Sequence, residues 1–249
     1  MAEADFSDEV LILQVKNWQT ADKYAVGFTR HHGKIAFLAY GARYAKSATG
    51  RLVQPFHHLQ AEFFSGSRME KIKSCELLSP PPELTLPQLA YGALAAEVTD
   101  RLTEVNSPQE EIYELLLEML ELLRKRNPRL VALSYILKLL DLCGIGPIYE
   151  VCVQCSRPVK DTARFSCEHG GLVCEKCGTT PDMQELRMET RVLWQYLRMM
   201  DFANPEPFTV RGGDLMELEV IVHRYLVYQI GQPLKSLEFI RQISGVTGC

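Results

Sequence analysis

Long apolar runs are missing from this sequence. No segment approaches the ~18 uninterrupted apolar residues that a membrane-spanning helix needs, and the run at residues 10–13 is too short for a signal-peptide core. The first nine residues carry four acids and no base, so the chain reads as cytosolic. Phosphate-cradling loops are missing too. Neither Gly-x-x-x-x-Gly-Lys-Ser/Thr nor Gly-x-Gly-x-x-Gly is present, and Gly144-Ile145-Gly146-Pro147 reads as a helix stop, which argues against nucleotide binding. The Gly-x-Ser-x-Gly and His-Glu-x-x-His signatures of common hydrolases do not occur. With 16 Gly and 13 Pro in 249 residues, 47% of them apolar, a low-complexity or disordered chain is excluded. An overall excess of positive charge is also lacking: 27 Lys and Arg stand against 31 Asp and Glu, for a net charge of −4. A wholly basic nucleic-acid binder would not have that balance.

The charge is unevenly placed. Residues 15–60 hold seven bases (Lys16, Lys23, Arg30, Lys34, Arg43, Lys46, Arg51) and one acid, Asp22. A basic head on an acidic body suits one face turned to a polyanion while the rest keeps the protein soluble. A merely solvated basic surface fits the same count. His57 and His58 lie in this stretch and, being adjacent on a predicted strand, point to opposite faces; they read as surface histidines.

Apolar periodicity divides the chain. Five short strands are predicted within residues 10–78, at 11–15, 24–29, 34–40, 55–64 and 69–77, with Gly66 in the last turn. So many short strands in about 70 residues suit a small closed barrel, because closure removes exposed edges. Ser79-Pro80-Pro81-Pro82 marks a boundary, and beyond it the period becomes helical. Helices are predicted at about 86–105, from a Ser107 cap to 126, from an Asn127 cap to 142, and at 188–202, 214–230 and 234–243. The expected architecture is α+β and multidomain: an N-terminal OB-fold β-barrel over residues 1–79, then an α-helical domain over 80–249 with an insertion at about 148–180.

That insertion holds Cys152-Val153-Gln154-Cys155 and Cys174-Glu175-Lys176-Cys177. Two Cys-x-x-Cys knuckles 18 residues apart have zinc-ribbon spacing, each offering two thiolates on a tight turn to one tetrahedral Zn²⁺. Four cysteines complete the shell and leave no place for an activated water, so the predicted zinc, one per chain, is structural. Cys167 and His169 lack knuckle spacing. Cys75, Cys143 and Cys249 read as packing or tail residues.

The segment from Tyr40 to Ser47 is basic and aromatic together. On a small barrel, Lys and Arg would track phosphates while Tyr offers a stacking face. The order of Gly33-Lys34-Ile35, Gly41-Ala42-Arg43, Lys46-Ser47, Leu52-Val53-Gln54-Pro55-Phe56, Gly144-Ile145-Gly146-Pro147 and the paired knuckles resembles the RecO family of bacterial recombination mediators. The resemblance implies non-enzymatic binding of DNA, single-stranded and also double-stranded, and annealing of complementary strands. It further implies partnership with RecR and single-strand binding protein, and assistance in loading RecA, in the bacterial cytoplasm at the nucleoid. Carried over by position, Lys34, Tyr40, Arg43, Lys46 and Arg51 become the expected DNA contacts, with Tyr44 a second stacking candidate. The rival reading is a zinc-ribbon scaffold for protein–protein contacts with no direct role on DNA.

Overall fold

Strand alternation at the N-terminus produces a closed barrel. The computed structural model describes residues 5–65, 69–159, 163–178, 180, 182–206 and 209–245. The first strand, β1 (Phe6–Trp18), is long enough to pair with two partners. Its later half pairs antiparallel with β2 (Asp22–Thr29), and its earlier half with β4 (His58–Phe64). Strand β3 (Gly33–Ala39) pairs with β2 and, briefly and in parallel, with β5 (Glu70–Leu77), which pairs with β4. The order β1-β2-β3-β5-β4 closes on itself, the arrangement of an OB-like barrel. Val10, Ile12, Ile35, Phe37, Val53, Leu59 and Phe63 fill it, with Phe37 and Phe63 edge to face at 5.2 Å. The predicted Gly66 turn and Cys249 lie outside the described residues.

Between β3 and β4 the sequence predicts only the strand at 55–64. Residues Ala48–Leu52 form a short helix, α1, capped by Ser47, whose Oγ accepts from the Gly50 amide at 3.0 Å. Gly50 is required there: a Cβ would sit 1.8 Å from the Ala42 carbonyl oxygen.

Helix α2 (Leu86–Leu102) follows a capping box of Thr85 and Gln88. Helix α3 (Glu110–Leu123) begins two residues later than predicted, with Gln109 and not Ser107 at the cap position. The cause is tertiary. Residues 105–107 are held along the barrel by the Asn106 amide, which donates to the Lys34 carbonyl at 2.9 Å, and by Gly33, whose missing Cβ would meet the Ser107 carbonyl at 2.0 Å. Chain contacts fall into two compact units, Met1–Lys125 and Arg126–Cys249, so α2 and α3 belong to the same unit as the barrel.

In the second unit, Asn127 caps α4 (Pro128–Leu142) as predicted, accepting from the Arg129 amide at 3.0 Å. A small antiparallel sheet follows, in the order β7 (Gly171–Cys174), β6 (Ala163–Ser166), β8 (Gln184–Leu186). Helices α5 (Met188–Met199), α6 (Gly212–Ile230) and α7 (Lys235–Ile243) complete the unit. Trp194 joins sheet to helices: its ring stacks on Tyr149 at 5.3 Å and meets Phe165 at 5.6 Å. Among the described residues no helix is long and apolar enough to cross a membrane.

Candidate nucleic-acid interface and metal centre

The basic residues of the barrel separate into those bound within the protein and those left outside. At the start of β3, the β2–β3 turn is fixed from both sides. Asp8, whose side chain is fully buried, accepts from Nδ1 of His31 at 2.9 Å, Nδ1 of His32 at 2.6 Å and the His31 amide at 2.9 Å. Burial works to raise its pKa, but these donors outweigh it and hold the carboxyl below its ordinary value. Arg30 reaches Glu9 at 3.1 Å, Glu110 at 2.9 Å and Glu114, and its guanidinium lies 4.8 Å over the Tyr113 ring. Desolvation opposes its charge, yet the three carboxylates push its pKa further up. His58 meets the Tyr113 hydroxyl at 2.7 Å beside Glu9, and burial lowers its pKa. The expected surface histidine is therefore part of a half-buried network.

Lys34 calls for the same correction. It is 8% exposed, donates to the Asp100 carbonyl, and lies 3.3 Å from the Asp100 carboxylate. Its ammonium is ion-paired inside the protein and largely shielded from solvent. Lys23 is tied as well: its Nζ donates to the carbonyls of Gly50 at 2.6 Å and Val53 at 3.1 Å, anchoring the end of α1.

Beyond the other end of β3 the picture reverses. Tyr40 and Tyr44 are 58% and 68% exposed. Lys46 and Arg51 are exposed, with no side-chain partner among the described residues. Arg43 is exposed but engaged, its Nη1 donating to the carbonyls of Gln19 at 2.9 Å and Thr20 at 3.0 Å. Sequence reasoning missed one member, Lys71. It sits opposite Leu38 in the short parallel pairing of β3 with β5, and its Nζ lies 5.8 Å from the Tyr40 ring. No local signal marks it, because only the barrel closure brings β5 beside β3.

The four predicted metal cysteines converge. The Sγ atoms of Cys152, Cys155, Cys174 and Cys177 all lie within 4.8 Å of one another, and those of Cys155 and Cys174 are 3.8 Å apart. A tetrahedral ion with metal–sulfur bonds of ~2.3 Å sets an edge of about 3.8 Å, so the donor set fits a four-thiolate metal site. Each knuckle is followed by a residue in the left-handed region, Ser156 at φ 58° and Gly178 at φ 89°. The Ser156 amide donates to the Cys152 carbonyl at 2.8 Å, closing the first knuckle. Burial raises the Cys152 thiol, but the amides of Cys174, Cys155 and Gln154 overcome this and lower its pKa. Cys177 is pushed up by hydrogen bonds with the Cys155 and Cys174 thiols. The backbone thus favours the Cys152 thiolate, the form in which a cysteine ligates a metal ion. Cys167 and His169 lie outside the cluster.

Two family models cover nearly the whole chain: Recombination protein O N terminal matches residues 1–81 and Recombination protein O C terminal matches residues 84–238. The chain belongs to the RecO family. Among its relatives are proteins named DNA repair protein RecO from Symbiobacterium thermophilum, 31% identical over 239 residues (92% of this chain and 94% of the relative), and from Moorella thermoacetica, 26% identical over 245 residues (96% and 92%). The same name is carried by a relative from Pelotomaculum thermopropionicum, 26% identical over 238 residues (94% and 93%). This is therefore a DNA repair protein of the RecO family, built as a closed barrel, a helical region and a four-cysteine cluster.

Proposed function

We propose that the barrel binds single-stranded DNA at the end of β3 that carries Tyr40, Lys46, Arg51 and Lys71, and that the protein anneals complementary strands there without making or breaking bonds. The observation that carries this reading is the grouping of two exposed tyrosines with unpaired cations on one closed barrel. Lys46, Arg51 and Lys71 meet phosphates, while Tyr40 and Tyr44 stack on bases. Neutralising the backbone reduces repulsion between complements, which is sufficient for pairing. Residues 1–79 form the nucleic-acid-binding domain in this reading. Residues 80–249 dock protein partners: RecR, single-strand binding protein and, indirectly, RecA, in the cytoplasm at the nucleoid. Exposed Val192, Met199, Met216 and Tyr228 on α5 and α6 suit such a docking role.

The cysteine cluster holds one structural Zn²⁺, for which thiolate ligands in a tetrahedral shell are suited. It ties the first knuckle to the end of β7, where the second begins. Metal analysis of the purified protein should give one zinc per chain, lost in Cys174→Ser. The function is tested by anisotropy of a labelled oligo(dT) together with annealing of complementary oligonucleotides. Binding should weaken steeply with salt and little with base sequence. Absence of binding at low salt, with zinc retained, would leave the protein-scaffold role in its place.

A further inference from the structure

We propose that Arg43 is a positioning residue, which ties the loop after β3 to the β1–β2 turn and so holds Tyr40 and Tyr44 where bases can stack on them; this rests on the DNA-binding reading above. Sequence alone makes Arg43 look like one more phosphate contact, but its geometry differs from that of Lys46 and Arg51. Its backbone amide donates to the Ala21 carbonyl at 2.8 Å, and its Nη1 bridges the carbonyls of Gln19 and Thr20 at 2.9 and 3.0 Å. Beside it, the Gly41 amide donates to the Asp22 carboxylate at 2.8 Å. The turn it grips is unusual: Gln19 has φ 47°, a left-handed conformation that residues with a Cβ seldom adopt. That turn presents two successive carbonyls outward, and one guanidinium nitrogen satisfies both. Within the loop, the Tyr44 amide donates to the Gly41 carbonyl at 3.1 Å and the Ser47 amide to the Tyr44 carbonyl at 2.9 Å, so the tie at Arg43 is passed on to Tyr44 and to the cap of α1.

Lysine keeps the charge at this position but is one atom shorter from Cα to its terminal nitrogen, so it falls short of the bridge. Arg43→Lys therefore separates the two roles. As a positioning residue, Arg43→Lys should weaken oligo(dT) binding about tenfold, the size of one lost stacking platform, while the slope of log affinity against log salt stays as in the unmodified protein. Arg43→Ala should weaken binding to a similar degree. A phosphate contact would behave otherwise: Arg43→Lys would bind normally, and that result overturns the proposal. A second readout needs no DNA. Chymotrypsin should cut after Tyr40 and Tyr44 faster in both variants than in the unmodified protein, at unchanged melting temperature; equal cutting rates also overturn the proposal. Lys46→Ala and Lys71→Ala serve as contact controls. If neither alters DNA binding, the DNA-face reading fails by itself, and the cutting rates still decide whether Arg43 is the tie.

Discussion

The two ends of β3 lie roughly 20 Å apart along the strand, and both are basic in sequence, yet only one presents positive charge to solvent. At the Gly33 end, Arg30 and Lys34 are matched by Glu9, Glu110, Glu114 and Asp100, three of which come from α2 and α3. Beyond the Ala39 end, Lys46 and Arg51 stand unpaired beside exposed tyrosines, and Lys71 joins them from β5. Equal charge along the chain thus becomes structural glue at one end and an open surface at the other. What decides the outcome is the packing partner. Helices α2 and α3 bring Asp100, Glu110 and Glu114 to the Gly33 end.

Removing an anchor from the paired end should give the largest effect. Asp8→Ala leaves two imidazoles and two amides without their acceptor and should cost about 3 kcal/mol of unfolding free energy in urea titrations, with little change in the salt slope of DNA binding. The same carboxylate gives a pH signature. Because its folded pKa lies below the ordinary value, it stabilises the fold at neutral pH, and that contribution disappears as pH falls through and below about 4. Stability measured from pH 6 to pH 3 should therefore fall less steeply in Asp8→Asn than in the unmodified protein. Arg30→Ala comes next, with a loss of about 2 kcal/mol, since two of its three carboxylate partners remain largely solvated. Smallest in stability are Lys46→Ala, Arg51→Ala and Lys71→Ala, each within about 0.5 kcal/mol. On DNA their order is reversed: each should lower the salt slope by about 0.7. A large melting shift in this last group, or a large slope change in the first two, would erase the distinction between the ends.

Local patterns made the barrel strands, the Asn127 cap and the cysteine knuckles legible before any coordinates, because each depends on residues close in sequence. The four thiols sit in two short turns, so spacing alone implied their convergence. Features created by distant segments were hidden. Lys34 looked like a DNA contact because Asp100, 66 residues away, left no trace near it. Lys71 carries no sequence signal because the parallel pairing of β3 and β5 is short and follows a long connection. The start of α3 departs from the sequence pattern because Ser107-Pro108 is a good cap in isolation, while the barrel holds residues 105–107 in another conformation. Helix α1 escaped notice for its brevity: five residues carry too little periodicity to be told from the start of a strand.

Which end of β3 meets the nucleic acid is tested most directly by the salt dependence of oligo(dT) binding. In the triple variant Lys46→Ala, Arg51→Ala, Lys71→Ala, the slope of log affinity against log salt should fall by about 2, while Lys34→Met leaves it unchanged. An unaltered slope in the triple variant, or a slope lost on replacing Lys34, would contradict the assignment.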